Sequence, residues 1–132
     1  MTATDLVNRA LGGVRVLVAE GDADDSAALT ALLRLNGFDA REARTEEGAL
    51  QAVVDTRPAV LVVDLDMPGG DGCALIRRAR QLPSPPAVVV VTAHTRPAVR
   101  RAATEAGAAA FLLKPADPAE LAKLVGQLSK GP

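Results

Sequence analysis

Residues 59–72 read AVLVVDLDMPGGDG, and this stretch decides the fold. Five apolar residues lead into Asp64, and Pro68, Gly69, Gly70 and Asp71 then break any regular pattern. A run that is apolar at every position suits a strand covered on both faces. Proline and glycine end that strand in a loop, so its tip is open and carries a carboxylate. Taken alone, such a carboxylate is a metal ligand, a nucleophile or an acidic turn residue. The other polar residues of the chain choose among these.

The same pattern recurs on both sides. Residues 14–19 (VRVLVA) run into Glu20-Gly21-Asp22, residues 87–91 (AVVVV) into Thr92, and residues 108–113 (AAAFLL) into Lys114-Pro115. The short, alternating stretch 38–43 predicts a strand at the sheet edge. Helical spacing lies between the strands. Ala27, Ala28, Leu29, Leu32, Leu33 and Leu35 share a stripe that Asn36-Gly37 stops. Thr45 caps a second helix running to about 56, with Glu46 and Glu47 in its first turn and Ala49, Leu50, Val53 and Val54 inward. A third helix covers about 73–81, with Cys73 as a small buried residue, before the stiff connector Pro83-Ser84-Pro85-Pro86. Thr95 and Pro97 open a fourth, which Gly107 ends. Asp117-Pro118-Ala119-Glu120 has the form of a capping box for the last, with Leu121, Leu124, Val125 and Leu128 inward. Residues 1–12 read as a tail with a helical turn bringing Leu6, Val7, Ala10 and Leu11 together, and 13–130 as one domain. The expectation is an α/β fold: a doubly wound, five-stranded parallel sheet with five helices.

Composition narrows the chemistry. The chain has 132 residues, 48% of them hydrophobic and 23% charged, with a net charge of −1. That balance fits one globular domain and argues against a nucleic-acid or anionic-membrane binder. Two Phe, no Tyr and no Trp disfavour base stacking or a flavin held between rings. A single Cys and a single His exclude an internal disulfide and a Cys/His zinc cluster. With no signal-peptide core and no run of membrane-spanning length, the expected location is the cytoplasm.

In a parallel sheet, Glu20, Asp64, Thr92 and Lys114 all fall on the edge where doubly wound folds hold ligands. Two carboxylates, a hydroxyl and an amine, with Asp22 and Asp66 close by, suit a hard cation such as Mg²⁺. They also suit charge building on a transferred phosphoryl group, with Asp64 as nucleophile carrying an acyl phosphate.

The chain resembles the receiver domain of two-component response regulators over residues 13–130. The resemblance is carried by VRVLVAE, by D-L-D-M-P-G-G-D-G from Asp64, by VVVVTA ending in Thr92-Ala93, and by FLLKP ending in Lys114-Pro115. It implies the flavodoxin-like strand order 2-1-3-4-5 and a signalling domain rather than an enzyme. Asp64 would accept phosphate from a histidine kinase or phosphotransferase. Glu20, Asp64 and the backbone carbonyl of Asp66 would hold Mg²⁺, with Asp22 a further candidate. Thr92, Ala93 and Lys114 would bind the phosphoryl group, Thr92 and Phe111 would form the switch, and the Lys114-Pro115 peptide would be cis. Output would pass to a downstream protein or output domain, and the face of the fourth helix, last strand and last helix would serve a homodimer. The chain departs from the family at Gly21, where a second metal-binding acid is usual.

Plainer readings stand beside these. Asp22, Asp24 and Asp25 suit a helix start. Phe111 suits plain core, and His94 a loop. Arg77, Arg78, Arg80, Arg96, Arg100 and Arg101 make two helices basic, as a solvated face or as a docking surface for an acidic partner. Gly21 suggests a degenerate receiver that binds partners without phosphorylation. The Asp64-Leu65-Asp66 triplet also resembles the haloacid dehalogenase phosphatases, although their later acidic pair is matched only by Asp117 and Glu120, which a helix cap explains better.

Overall fold

The computed structural model describes residues 2–3, 13–67, 71–93 and 96–130. Leu6, Val7, Ala10 and Leu11 of the expected tail turn, the 68–70 loop, His94 and the expected cap Thr95 lie outside the described residues. The chain alternates β1 (Arg15–Ala19), α1 (Ala23–Leu35), β2 (Asp39–Ala43), α2 (Glu46–Thr56), β3 (Val60–Val63), α3 (Gly72–Arg80), β4 (Ala87–Thr92), α4 (Pro97–Ala106), β5 (Ala110–Leu113) and α5 (Pro118–Ser129). All neighbouring strands are parallel, in the order β2-β1-β3-β4-β5, as expected.

Local chemistry sets the helix starts. Asp22, Thr45, Asp71 and Asp117 each accept a first-turn N–H through a side-chain oxygen, at 2.9, 3.0, 2.9 and 2.8 Å. Helix α4 opens instead on Pro97, which has no N–H to satisfy, and ends at Gly107 with φ 121.

Strand alternation separates two cores. Leu17, Ala19, Leu61, Val63, Val88 and Val90 pack with Val53, Leu75, Ile76 and Ala103 of α2, α3 and α4. Val16, Val18, Val60, Val62, Val89 and Val91 pack with Leu33, Leu121 and Val125 of α1 and α5. Both strand faces are therefore covered, which is why these strands are apolar throughout. The edge strand β5 is only half-buried, with Leu113 exposed.

Two helix faces differ from the sequence expectation. In α1 the buried stripe is Ser26, Thr30 and Leu33, whereas Ala27, Ala28 and Leu35 are exposed and Leu29 and Leu32 half-buried. The Ser26 hydroxyl donates to Glu42 Oε2 at 2.9 Å, so a small polar residue can face β2 and satisfy itself there. In α2 Ala49 and Val53 are buried and Leu50 is half-buried, but Val54 points to solvent, because the inward stripe is narrower than its hydrophobic pattern.

Candidate functional site

The sheet itself delivers the site residues. Beyond the last strand residues, the Glu20 N–H still donates to Ala43 O (3.1 Å), the Asp64 N–H to Ala19 O (2.9 Å) and the Lys114 N–H to Thr92 O (2.8 Å). Each functional side chain thus starts from a backbone pinned to the neighbouring strand.

The Lys114 ammonium is the centre of the cluster. It donates to Asp64 Oδ2 at 2.6 Å, Glu20 Oε2 at 2.7 Å and Asp25 Oδ2 at 3.0 Å. The other carboxylate oxygens are held by the backbone: Asp64 Oδ1 accepts the Asp66 N–H (2.9 Å) and Glu20 Oε1 the Asp22 N–H (3.1 Å). Glu20 and Asp64 are buried, while Asp25 stands at the mouth with its side chain half exposed.

These contacts divide the charge. Burial opposes ionisation of Asp64, but the Lys114 ammonium, the Asp66 N–H and the neighbouring Glu20 together bring its carboxyl below the usual value. Burial raises Glu20, reinforced by the Asp64 charge and only partly relieved by Lys114 and the Asp22 N–H. Burial also works against the charge on Lys114, but its carboxylate partners outweigh it and hold the ammonium above its ordinary pKa. Asp64 is therefore the more readily ionised carboxylate of the pair, and Glu20 takes up a proton more readily.

Thr92 is fully buried at the end of β4, in register with Leu113, and Ala93 follows it exposed. Phe111 is half-buried against the α2–α4 core, and the Arg100 guanidinium lies 5.4 Å from its ring centroid. The Lys114-Pro115 peptide is cis. Asp22 is exposed and turns its carboxylate onto the start of α1. At Gly21 there is no side chain to offer, and its carbonyl accepts Arg44 Nε at 3.2 Å. Asp117 caps α5 through the Ala119 and Glu120 N–H groups, the helix-cap role that its sequence pattern suggests. Cys73 is half-buried, and burial pushes its thiol up, so it stays protonated. Asp25 and Arg44 join the site without a sequence motif that marks them for it. The signal for Asp25 is that helical side chains lean toward the helix N-terminus, which here starts beside the site.

The sequence model of the response regulator receiver domain matches residues 16–126. The chain belongs to the response regulator receiver family. Among curated relatives, this receiver is 38% identical over 114 residues to the transcriptional regulatory protein PrrA of Mycobacterium leprae, covering 86% of this chain and 49% of the relative. It thus spans about half the length of the first curated relatives it matches. A 14.6 kDa protein from the sodA1 3′ region of Leptolyngbya boryana is 35% identical, with 89% of this chain and 91% of that protein covered. Among solved structures, the receiver domain of the NarL regulator from Mycobacterium tuberculosis superposes with a TM-score of 0.82 at 32% identity, covering 90% of this receiver and 98% of that chain. Among the described residues no helix is long and apolar enough to cross a membrane.

The family implies Mg²⁺ at this edge. Glu20 and Asp64 turn hard carboxylate oxygens toward the same ammonium, and Asp66 follows two residues after Asp64 in the loop. Mg²⁺ is commonly held by one or two carboxylates with water filling the remaining positions, so this all-oxygen donor set fits it. Among the described residues no group of three or more His, Cys, Asp or Glu side chains is placed to hold a metal ion, so water would have to complete the set around Glu20 and Asp64.

Proposed function

We propose that this receiver is a phosphorylation-operated switch in which Asp64 accepts a phosphoryl group from a histidine kinase or phosphotransferase. The observation that carries the reading is the 2.6 Å contact between Lys114 Nζ and Asp64 Oδ2 at the open sheet edge. It keeps Asp64 ionised despite burial, and it places a cation where the charge of a phosphoryl group would gather.

An Asp64 carboxylate oxygen attacks phosphorus, the phosphorus–nitrogen bond of the phosphohistidine breaks, and the imidazole nitrogen leaves with the electron pair. Lys114 then pairs with the phosphoryl oxygens, and the Thr92 hydroxyl and Ala93 N–H bind them from β4. Glu20, Asp64 and the Asp66 carbonyl would hold Mg²⁺, which supplies charge neutralisation on the phosphoryl oxygens. Movement of Thr92 toward the phosphoryl group opens space beside Phe111. The ring's rearrangement, with Arg100 above it, reports the event to the face of α4, β5 and α5. A protein partner, an output domain or a second copy of the chain reads that face in the cytoplasm.

The test is Mg²⁺-dependent labelling with acetyl phosphate or phosphoramidate, read by intact-protein mass on wild type and Asp64→Asn. A phosphate-sized gain that needs both the metal and Asp64 is expected. No gain from folded protein at high donor and metal overturns the reading in favour of a phosphorylation-independent binding module. Gly21→Asp would then show whether the missing acid is the cause.

A further inference from the structure

An ammonium has three hydrogens to donate, and at Lys114 all three are taken by carboxylates. The three bonds are unequal. Glu20 and Asp64 side chains are 4% and 8% exposed and are anchored by backbone N–H groups, whereas Asp25 is 52% exposed and makes the longest contact. Water and salt compete for an exposed pair, so the Asp25 bond is the easiest to break. A phosphoryl group on Asp64 needs a hydrogen from Lys114, and Asp25 holds the one nearest release.

We propose that Asp25 is a positioning residue that restrains phosphoryl acceptance: it holds the third hydrogen of Lys114 in the resting protein and has to yield it before a phosphoryl oxygen can take its place. The inference rests on the function proposed above. An acid in the first turn of α1 is already favoured by the helix dipole, but the dipole does not explain a reach from α1 to the residue after β5. The contact also has a cost for entry. Three carboxylates share one ammonium here, and Asp25 adds its charge at the mouth, where an anionic donor arrives. Asp25 therefore orders Lys114 while slowing the approach of the donor.

The experiment compares wild type, Asp25→Asn and Asp25→Glu in the full chain. Hydrogen exchange of the Lys114 ammonium, followed by ¹⁵N NMR, reads the hold directly. Mg²⁺-dependent labelling by acetyl phosphate, at low and high salt, reads its consequence. Asp25→Asn should speed both, labelling by about two- to five-fold at low salt, with the difference shrinking as salt rises. Asp25→Glu, which keeps the charge, should stay near wild type. Unchanged ammonium exchange in Asp25→Asn overturns the inference, as does faster exchange with labelling that is unchanged or slower. If neither wild type nor variant takes up phosphate, the proposed function fails and this role for Asp25 fails with it. In the first two cases labelling of wild type still occurs, so only the inference falls.

Discussion

Replacing Lys114 by Met keeps the aliphatic stem and removes the charge, and it should cost this protein a substantial part of its stability at neutral pH. The ammonium lies 2.6 and 2.7 Å from two buried carboxylates. At an effective dielectric of about 20, unit charges that close attract by roughly 6 kcal/mol, before the cost of taking them out of water. Removing one partner of a buried pair typically costs about 3–5 kcal/mol, because the other charge is left uncompensated. Lys114 keeps 21% of its side chain exposed, so water can partly replace it, and the expected loss lies at the lower end, about 3 kcal/mol. For a domain of this size that is a fall in Tm of roughly 8–15 °C. Urea unfolding followed by circular dichroism, from pH 7 down to about 5, is the assay. The loss should be largest at pH 7 and shrink as the pH falls, because protonating one carboxylate relieves the repulsion that Lys114 had neutralised. A variant as stable as wild type at pH 7 would refute the reasoning. A loss of equal size at every pH would place the effect in packing of the stem and not in the charge.

Glu20→Gln should gain stability relative to wild type as pH rises. The folded Glu20 carboxyl titrates above its ordinary 4.5, so its favourable contribution is complete below 4.5 and lost as pH rises through the folded value; a stability difference that does not grow with pH in parallel urea titrations would contradict this. Gly72→Ala should be strongly destabilising, by about 2 kcal/mol or more, since its Cβ would sit 2.7 Å from Leu65 Cα and 3.2 Å from Leu65 O. Leu65 lies between Asp64 and Asp66, so the same variant should also slow Asp64 labelling, and a variant with wild-type Tm and labelling rate would show that the loop yields freely.

The parallel sheet and the polar residues at its edge were legible because uniform apolar runs and their terminal residues depend only on local order in the chain. Asp64, Glu20 and Lys114 meet for that reason, with Thr92 at the end of the strand beside Lys114: parallel strands bring successive carboxyl ends together. Less was legible where two roles share one residue type. Asp25 reads as a helix-start acid, and although its position in the first turn leans it toward the site, it does not say that Lys114, 89 positions later, lies within 3.0 Å. The inward face of α1 was hidden likewise. Ser26 and Thr30 look like surface residues until Glu42 on β2 supplies a partner for the Ser26 hydroxyl, and Leu35 looks like core until the stripe turns away from it. Asp71 sits in a glycine-rich break and shows as a cap only once α3 starts at Gly72.

Among the described residues the two cores share no side chain, because successive residues of each central strand point to opposite helix layers. That separation shapes how such a sequence can drift over generations. A volume change at Val91 has to be repaired by its own neighbours, such as Leu121 or Val125, and one at Val90 by residues such as Leu75 or Ala103. Each layer can therefore accumulate its own history of substitutions, while the sheet edge that carries Asp64 answers to both.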